Sequence, residues 1–411
     1  MLSQPPVING FMEILFSSIN TRVLISTVFL LCELGSRNED VISTLTRVDS
    51  DVECVIALFQ KGLFEAVVLI YLLKPSIAML VQVELIVSSG DDGAVFEVVR
   101  RVISGKVIEC IISSLESEWT EERFTAIRLL SKCIQEDGKC RNIIADKAEL
   151  APVLEILVGA NDEDRFEIVQ FLSERTFNNQ ILHIIKDEGT FSTMHTLLAY
   201  LQTAETEQLP VVAGLLLQLD LLAEPRKMSI YREEAIDTLI SCLKNSDSPS
   251  AQIAAAETIL ALQGRFSSFG KPLIRAYLLK NVGLDKSYRS MMRKEQLSAL
   301  YGEIQETMEE EKAAEEWERK TAFVLVSHEF GLIFEGLSEG LKSNYAEICS
   351  ACFVCATWLV HMLTLLPDTG IKGAARICLL NRFVSIFKSA KDTEDKALSM
   401  LALRSFIHDP G

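Results

Sequence analysis

The sequence predicts an all-α repeat solenoid, and three observations carry that prediction. Hydrophobic residues make up 49% of a 411-residue chain with only 20 Gly and 10 Pro, a composition with ample material for helices and little for a turn-rich β fold. Five segments repeat one pattern, apolar residues in threes and fours running into a helix breaker. The last four recur at a steady interval.

Those segments begin at Arg22 (RVLISTVFLLCELG), Arg123 (RFTAIRLLSKCIQEDG), Arg165 (RFEIVQFLSERTFNN), Pro210 (PVVAGLLLQLDLLAEP) and Gln252 (QIAAAETILALQG). From Arg123 onward the starts are 42, 45 and 42 positions apart, the period of armadillo and HEAT arrays, about 40 to 47 residues. Further apolar helices complete each unit at Asn142–Leu157, Ile184–Leu201 and Tyr231–Leu243. Gly138, Gly159, Gly189, Asn245–Pro249 and Gly264 fall where helices should stop. A lone helix pair cannot bury its apolar face, so neighbouring units must stack.

The expected architecture is an armadillo/HEAT-like right-handed superhelical solenoid with a charged helical insertion. Residues 1–269 hold N-terminal repeats, with an ambiguous register before residue 120. Residues 270–322 hold the insertion, and repeats resume over 323–411, at Tyr345 and again at Asp395.

Charge and cysteine usage narrow the function. Forty basic against 57 acidic residues leave a formal −17, which repels phosphate backbones and is not drawn to an anionic membrane surface. Nucleic acid is excluded as a partner on that ground. The ten cysteines are scattered, mostly beside aliphatic residues as at Cys32, Cys54, Cys110 and Cys378, where a thiol acts as a small hydrophobe. The opening MLSQPPVING lacks the basic start and apolar run of a secretory signal. An intracellular protein, cytoplasmic or nuclear, is expected.

Ile348–Leu366 (ICSACFVCATWLVHMLTLL) needs a membrane test, being 19 residues without a formal charge. It contains Ser350, Thr357, His361 and Thr364 and has no Lys/Arg cluster at its flanks. Leu63–Val87 is broken by Glu65, Lys74, Pro75 and Glu84. A helix sandwiched between repeats is apolar nearly all round, so a buried solenoid helix is the reading preferred over a membrane span.

The chemical signals are weak. Cys349, Cys352 and Cys355 form a Cys-x-x-Cys-x-x-Cys run, but on an unbroken helix the outer pair is roughly 9 Å apart along the axis, too far for one tetrahedral ion. No metal site, catalytic residue or cofactor site is expected. The histidines, His183, His195, His328, His361 and His408, lie in no nucleophile elbow or paired-histidine zinc helix. Gly270-Lys271-Pro272 lacks the glycine spacing of a phosphate loop and reads as a helix start.

Glu303–Glu318 (EIQETMEEEKAAEEWE) carries eight glutamates and one lysine, and Leu297, Leu300, Ile304 and Met308 form an apolar stripe at helical spacing. It reads as a solvated amphipathic helix, with modest support from Glu315–Arg319 and Glu316–Lys320. The functional alternative is an acidic docking face built on Glu309, Glu310 and Glu311, with Trp317 as its anchor or packed on the solenoid.

GKPLIRAYLLKNVGL, the acidic helix, YAEICSACFVCATWLVHML and the closing ALRSFIHDPG together resemble the plant CERBERUS/LIN-type E3 ubiquitin-protein ligases, along essentially the whole chain. The resemblance implies the armadillo-like middle of a protein that also carries a U-box and a C-terminal WD-repeat propeller. Neither of those is seen in this text, so Met1 is expected to be an internal methionine of a longer product, or the start of a truncated relative. Armadillo proteins that clamp extended peptides resemble one another in an asparagine ladder. The matching stretches here, LSKCI, LSERT, LQLDL and LALQG, do not show it.

The expected function is therefore a non-catalytic protein-binding scaffold that recruits a partner or substrate for ubiquitination. The other readings are a membrane-associated helical protein, a freestanding armadillo adaptor unrelated to ubiquitin, and a ligase acting through an unrecognised recruiting surface.

Overall fold

The computed structural model describes residues 3–49, 53–73, 99–100, 102, 107–136, 140–173, 190–223, 229–266, 271–297, 308–367 and 370–407. They are almost wholly helical, and the chain divides into two compact units, Met1–Ile156 and Leu157–Gly411, with the boundary inside one helix.

The first unit opens with α1 (Pro5–Ser17), α2 (Thr21–Arg37) and α3 (Glu39–Val48). Pro5 and Pro6 sit in the first turn of α1, where a missing N–H costs nothing. Asn20 and Asn38 cap the next two helices, their side-chain oxygens accepting from the Arg22 and Asp40 amides at 3.0 and 2.9 Å. These three helices pack on one another around Met12, Leu31 and Leu45.

Then come α4 (Glu53–Gln60), α5 (Ala66–Leu73), α6 (Val107–Ser113), α7 (Thr120–Glu136), α8 (Cys140–Lys147) and α9 (Ala151–Gly159), which crosses the boundary. Arg123 of α7 holds the start of α9, its guanidinium lying 3.2 Å from Glu155 and donating to the Pro152 carbonyl at 3.4 Å. Much of Gly62–Val87 and Asp91–Leu115 lies outside the described residues.

The second unit contains α10 (Asp162–Leu172), α11 (Thr190–Leu201), α12 (Leu209–Leu222), α13 (Ile230–Lys244), α14 (Pro249–Leu262), α15 (Ile274–Asn281), α16 (Asp285–Leu297), α17 (Met308–Ser327), α18 (Ile333–Gly340), α19 (Ala346–Met362), α20 (Ile371–Ser389) and α21 (Thr393–Ile407). Most form two layers. Helices α11, α13, α18 and α20 pack in that order in one, and α10, α12, α14, α19 and α21 in the other. The repeat starts at Arg165, Pro210 and Gln252 lie in α10, α12 and α14, neighbours in the second layer.

This layering accounts for the apolar runs. Helix α12 is buried without a break from Val212 to Leu221, and α19 from Cys352 to Val360. Each buried leucine stabilises the stack by roughly 1.5–3 kcal/mol. Helix α19, which carries most of the uncharged 19-residue run, packs on α14, α18 and α21. No helix among the described residues is long and apolar enough to cross a membrane.

Close approach also fixes small residues. A Cβ on Gly340 would stand 2.3 Å from Cys352 Sγ, where α18 meets α19. Between the repeat helices α14 and α18, α15 packs on α19 and α21, and α17 on α18 and α19.

Candidate binding surface along the charged helix

The charged helix is tied to the stack through the breaker that ends α14. Gly264 takes φ +93°, a left-handed conformation suited to glycine. A Cβ there would lie 2.6 Å from Trp317 Cδ1. The bare backbone lets the indole lie against the end of α14, where Trp317 Nε1 donates to the Leu262 carbonyl at 3.0 Å.

Arg265, the next residue, is 8% exposed. Its Nε donates to Glu318 Oε2 at 3.2 Å, and its Nη1 lies 2.9 Å from Glu311 Oε1. Its guanidinium stacks over the Tyr277 ring, 4.3 Å from the centroid. Burial works against the arginine's charge, but Glu318 and Glu311 outweigh it and hold the pKa above the ordinary arginine value. The second oxygen of Glu318 accepts from Trp358 Nε1 at 2.8 Å. One carboxylate thus joins the end of α14, the middle of α17 and the core of α19.

Of the residues singled out in the sequence, Trp317 and Glu311 therefore face the stack, and Glu309 and Glu310 lie in the first turn of α17. Glu315 and Arg319 pair at 3.8 Å across an exposed face, an interaction of small value. Lys320 donates to the Leu221 carbonyl; burial, with Arg232 nearby, pushes its pKa down.

The three clustered cysteines do not converge on one point. Cys349 Sγ donates to the Ser343 carbonyl at 3.0 Å, Cys352 meets Gly340, and Cys355 Sγ donates to the Ala256 carbonyl at 3.3 Å. Burial pushes the Cys352 thiol up to about 12 and the Cys355 thiol well above its usual range, whereas a metal takes the thiolate. No group of three or more metal-ligating side chains occurs among the described residues. His361 is part-buried, with Nε2 3.5 Å from Asn281 Nδ2, and burial lowers its pKa.

A cleft that the sequence did not suggest opens beside the C-terminal end of α17. Its volume is about 460 Å³, and it is lined by Arg232, Glu233 and Asp237 of α13, by Phe323 and Ser327 of α17, and by the turn that follows. In that turn Glu329 and Phe330 take φ +42° and +55°, ahead of Gly331 at +90°. A non-glycine residue in this region costs roughly 1–2 kcal/mol. Phe330 is left 83% exposed. His328 and Asp237 meet at 2.7 Å across the cleft. Arg232 of the lining is also engaged below it: its Nε donates to the buried Asp220 at 2.8 Å, and Ser229 Oγ donates to the other oxygen of that carboxylate. The Ser-His-Glu-Phe-Gly text was the available signal, but its partners on α13 lie some 90 positions earlier.

Comparison with known proteins places the chain. The family profile described as "Putative E3 ubiquitin-protein ligase LIN, ARM-like domain" matches residues 85–411, and "E3 ubiquitin-protein ligase LIN-like, ARM repeat" matches 1–89. Among curated relatives, "Putative E3 ubiquitin-protein ligase LIN-1" of Lotus japonicus and "Putative E3 ubiquitin-protein ligase LIN" of Medicago truncatula are each 43% identical over 450 aligned positions, covering 100% of this chain. The chain spans 30% of the length of those relatives. Among solved structures, a designed armadillo repeat protein in complex with the peptide (KR)4 aligns over 80% of this chain and 92% of its own, at 11% identity and a TM-score of 0.31, too low to bear on fold or binding. The two profiles and the relatives agree from end to end: this chain belongs to the LIN family of E3 ubiquitin-protein ligases, as its ARM-like region.

Proposed function

We propose that this chain is the protein-binding scaffold of a longer ubiquitin ligase, recruiting a partner or substrate so that another part of that protein can direct ubiquitin onto it. The observation that carries the reading is the family match along the whole chain. The two-layer stack supports it, because such arrays offer extended surfaces held rigid by a continuous core. The chain works inside the cell, in the cytoplasm or nucleus, a reading supported by ten cysteines that all stand as free thiols. Residues 270–322 act as a charged helical insertion between repeats, consistent with the direct packing of α14 on α19 and of α13 on α18.

Immobilised full chain, incubated with plant cell extract and washed at physiological salt, tests the reading. The expected result is one or more proteins retained reproducibly and stoichiometrically, each binding again when purified. A purified chain that retains nothing above a surface-matched control would overturn it.

A further inference from the structure

The cleft between α13 and α17 combines three features that point to one kind of occupant. Its charged lining is mainly acidic: Asp237 faces His328, while Glu233 and Glu329 form no ion pair among the described residues. The one lining arginine, Arg232, is held by Asp220. Apolar surface accompanies the acids, with Phe323 41% exposed on the wall and, outside the lining itself, Phe330 83% exposed in the turn and Ile230 59% exposed at the start of α13. Within the lining, the Ser327 hydroxyl is shielded from solvent and has no hydrogen-bond partner among the described residues.

Exposed aromatic surface beside uncompensated carboxylates matches a cation next to an apolar group. Carboxylates form charge-assisted hydrogen bonds with ammonium or guanidinium groups, and phenylalanine faces attract the same cations. We propose that this cleft docks a short segment of a partner protein in which a lysine or arginine adjoins an aromatic or aliphatic residue. The inference rests on the protein-binding reading above and gives it a location and a partner chemistry.

The test uses the full chain and a fluorescein-labelled peptide, Gly-Ser-Lys-Phe-Lys-Phe-Ser-Gly, followed by anisotropy. Saturable binding is expected. It should weaken at least tenfold in Glu233→Lys/Glu329→Lys, weaken severalfold in Phe323→Ser, and vanish for a probe with glutamate in place of lysine. No saturable binding, or equal binding by the charge-reversed chain, would overturn the proposal. A second measurement keeps the wild-type protein: a photoreactive phenylalanine in the probe should cross-link to α13, Phe323 or the turn, and cross-links confined elsewhere would overturn the proposal even if the variants misfold. Extract capture run in parallel separates the two readings. Undiminished capture by a charge-reversed chain that has lost the peptide overturns the cleft alone, whereas no capture by either chain overturns the scaffold.

Discussion

Helices α19 and α17 lie against each other and are built on opposite logic. Helix α19 has no charged residue between Glu347 and its C-terminal end, is buried without a break from Cys352 to Val360, and is held by helices of both layers. Helix α17 is rich in glutamate, yet it is fixed by a few specific contacts: Trp317 on the end of α14, and Glu318 and Glu311 on Arg265. The first is stabilised by area, which is non-directional and tolerant of detail. The second depends on buried charge, where losing one partner strands the other. Glu318 is where the two meet, since its carboxylate serves both Arg265 and the core indole of Trp358.

That contrast predicts a ranking of damage. Trp358→Ala should be the most harmful change, because it removes a fully buried indole at a cost of about 3–5 kcal/mol. Denaturant unfolding followed by circular dichroism reads it. Arg265→Met should cost about 3 kcal/mol by leaving the Glu318 carboxylate buried without its cation. Adding Glu318→Gln should return part of the loss, since the amide oxygen still accepts from Trp358. If the single and double variants are equally unstable, the charge pairing is not what holds α17.

Gly264→Ala should cost about 1–2 kcal/mol from its left-handed backbone, plus whatever Trp317 loses in moving aside. The same change in a Trp317→Ala background should cost less, and strict additivity would show that the indole does not rest on Gly264. The effect that is smallest at neutral pH is confined to the alkaline range. The Cys352 thiol is raised from 9.0 to about 12 in the folded chain, so the unfolded chain releases that proton first as pH rises. Below pH 9 its contribution is fully present. Between pH 9 and 12 stability should fall, and Cys352→Ala should flatten that share of the slope while lowering the neutral-pH baseline.

The sequence made one of these two helices legible and not the other. Periodic apolar text located α10, α12 and α14, because a helix covered on several sides repeats its apolar residues over its whole length. The same logic turned the membrane-like run of α19 into a core helix. The acidic stretch gave away its helicity and its aromatic residue but not their direction. Whether Trp317 faces solvent or the stack is decided by Gly264 and Leu262, more than 50 positions earlier, and no local pattern encodes that pairing. The cleft was hidden for the same reason. Its acids come from α13 and from a distant turn in which two non-glycine residues, Glu329 and Phe330, are left-handed ahead of Gly331.

Ubiquitin transfer in a reconstituted system bears most directly on the scaffold reading. The purified chain, a captured partner, activating and conjugating enzymes and ubiquitin would be compared with the same mixture containing the chain fused to a U-box. Partner ubiquitination is expected with the fusion and not with the chain by itself. Efficient transfer by the unfused chain would contradict a non-catalytic scaffold and assign it a recruiting surface for the conjugating enzyme.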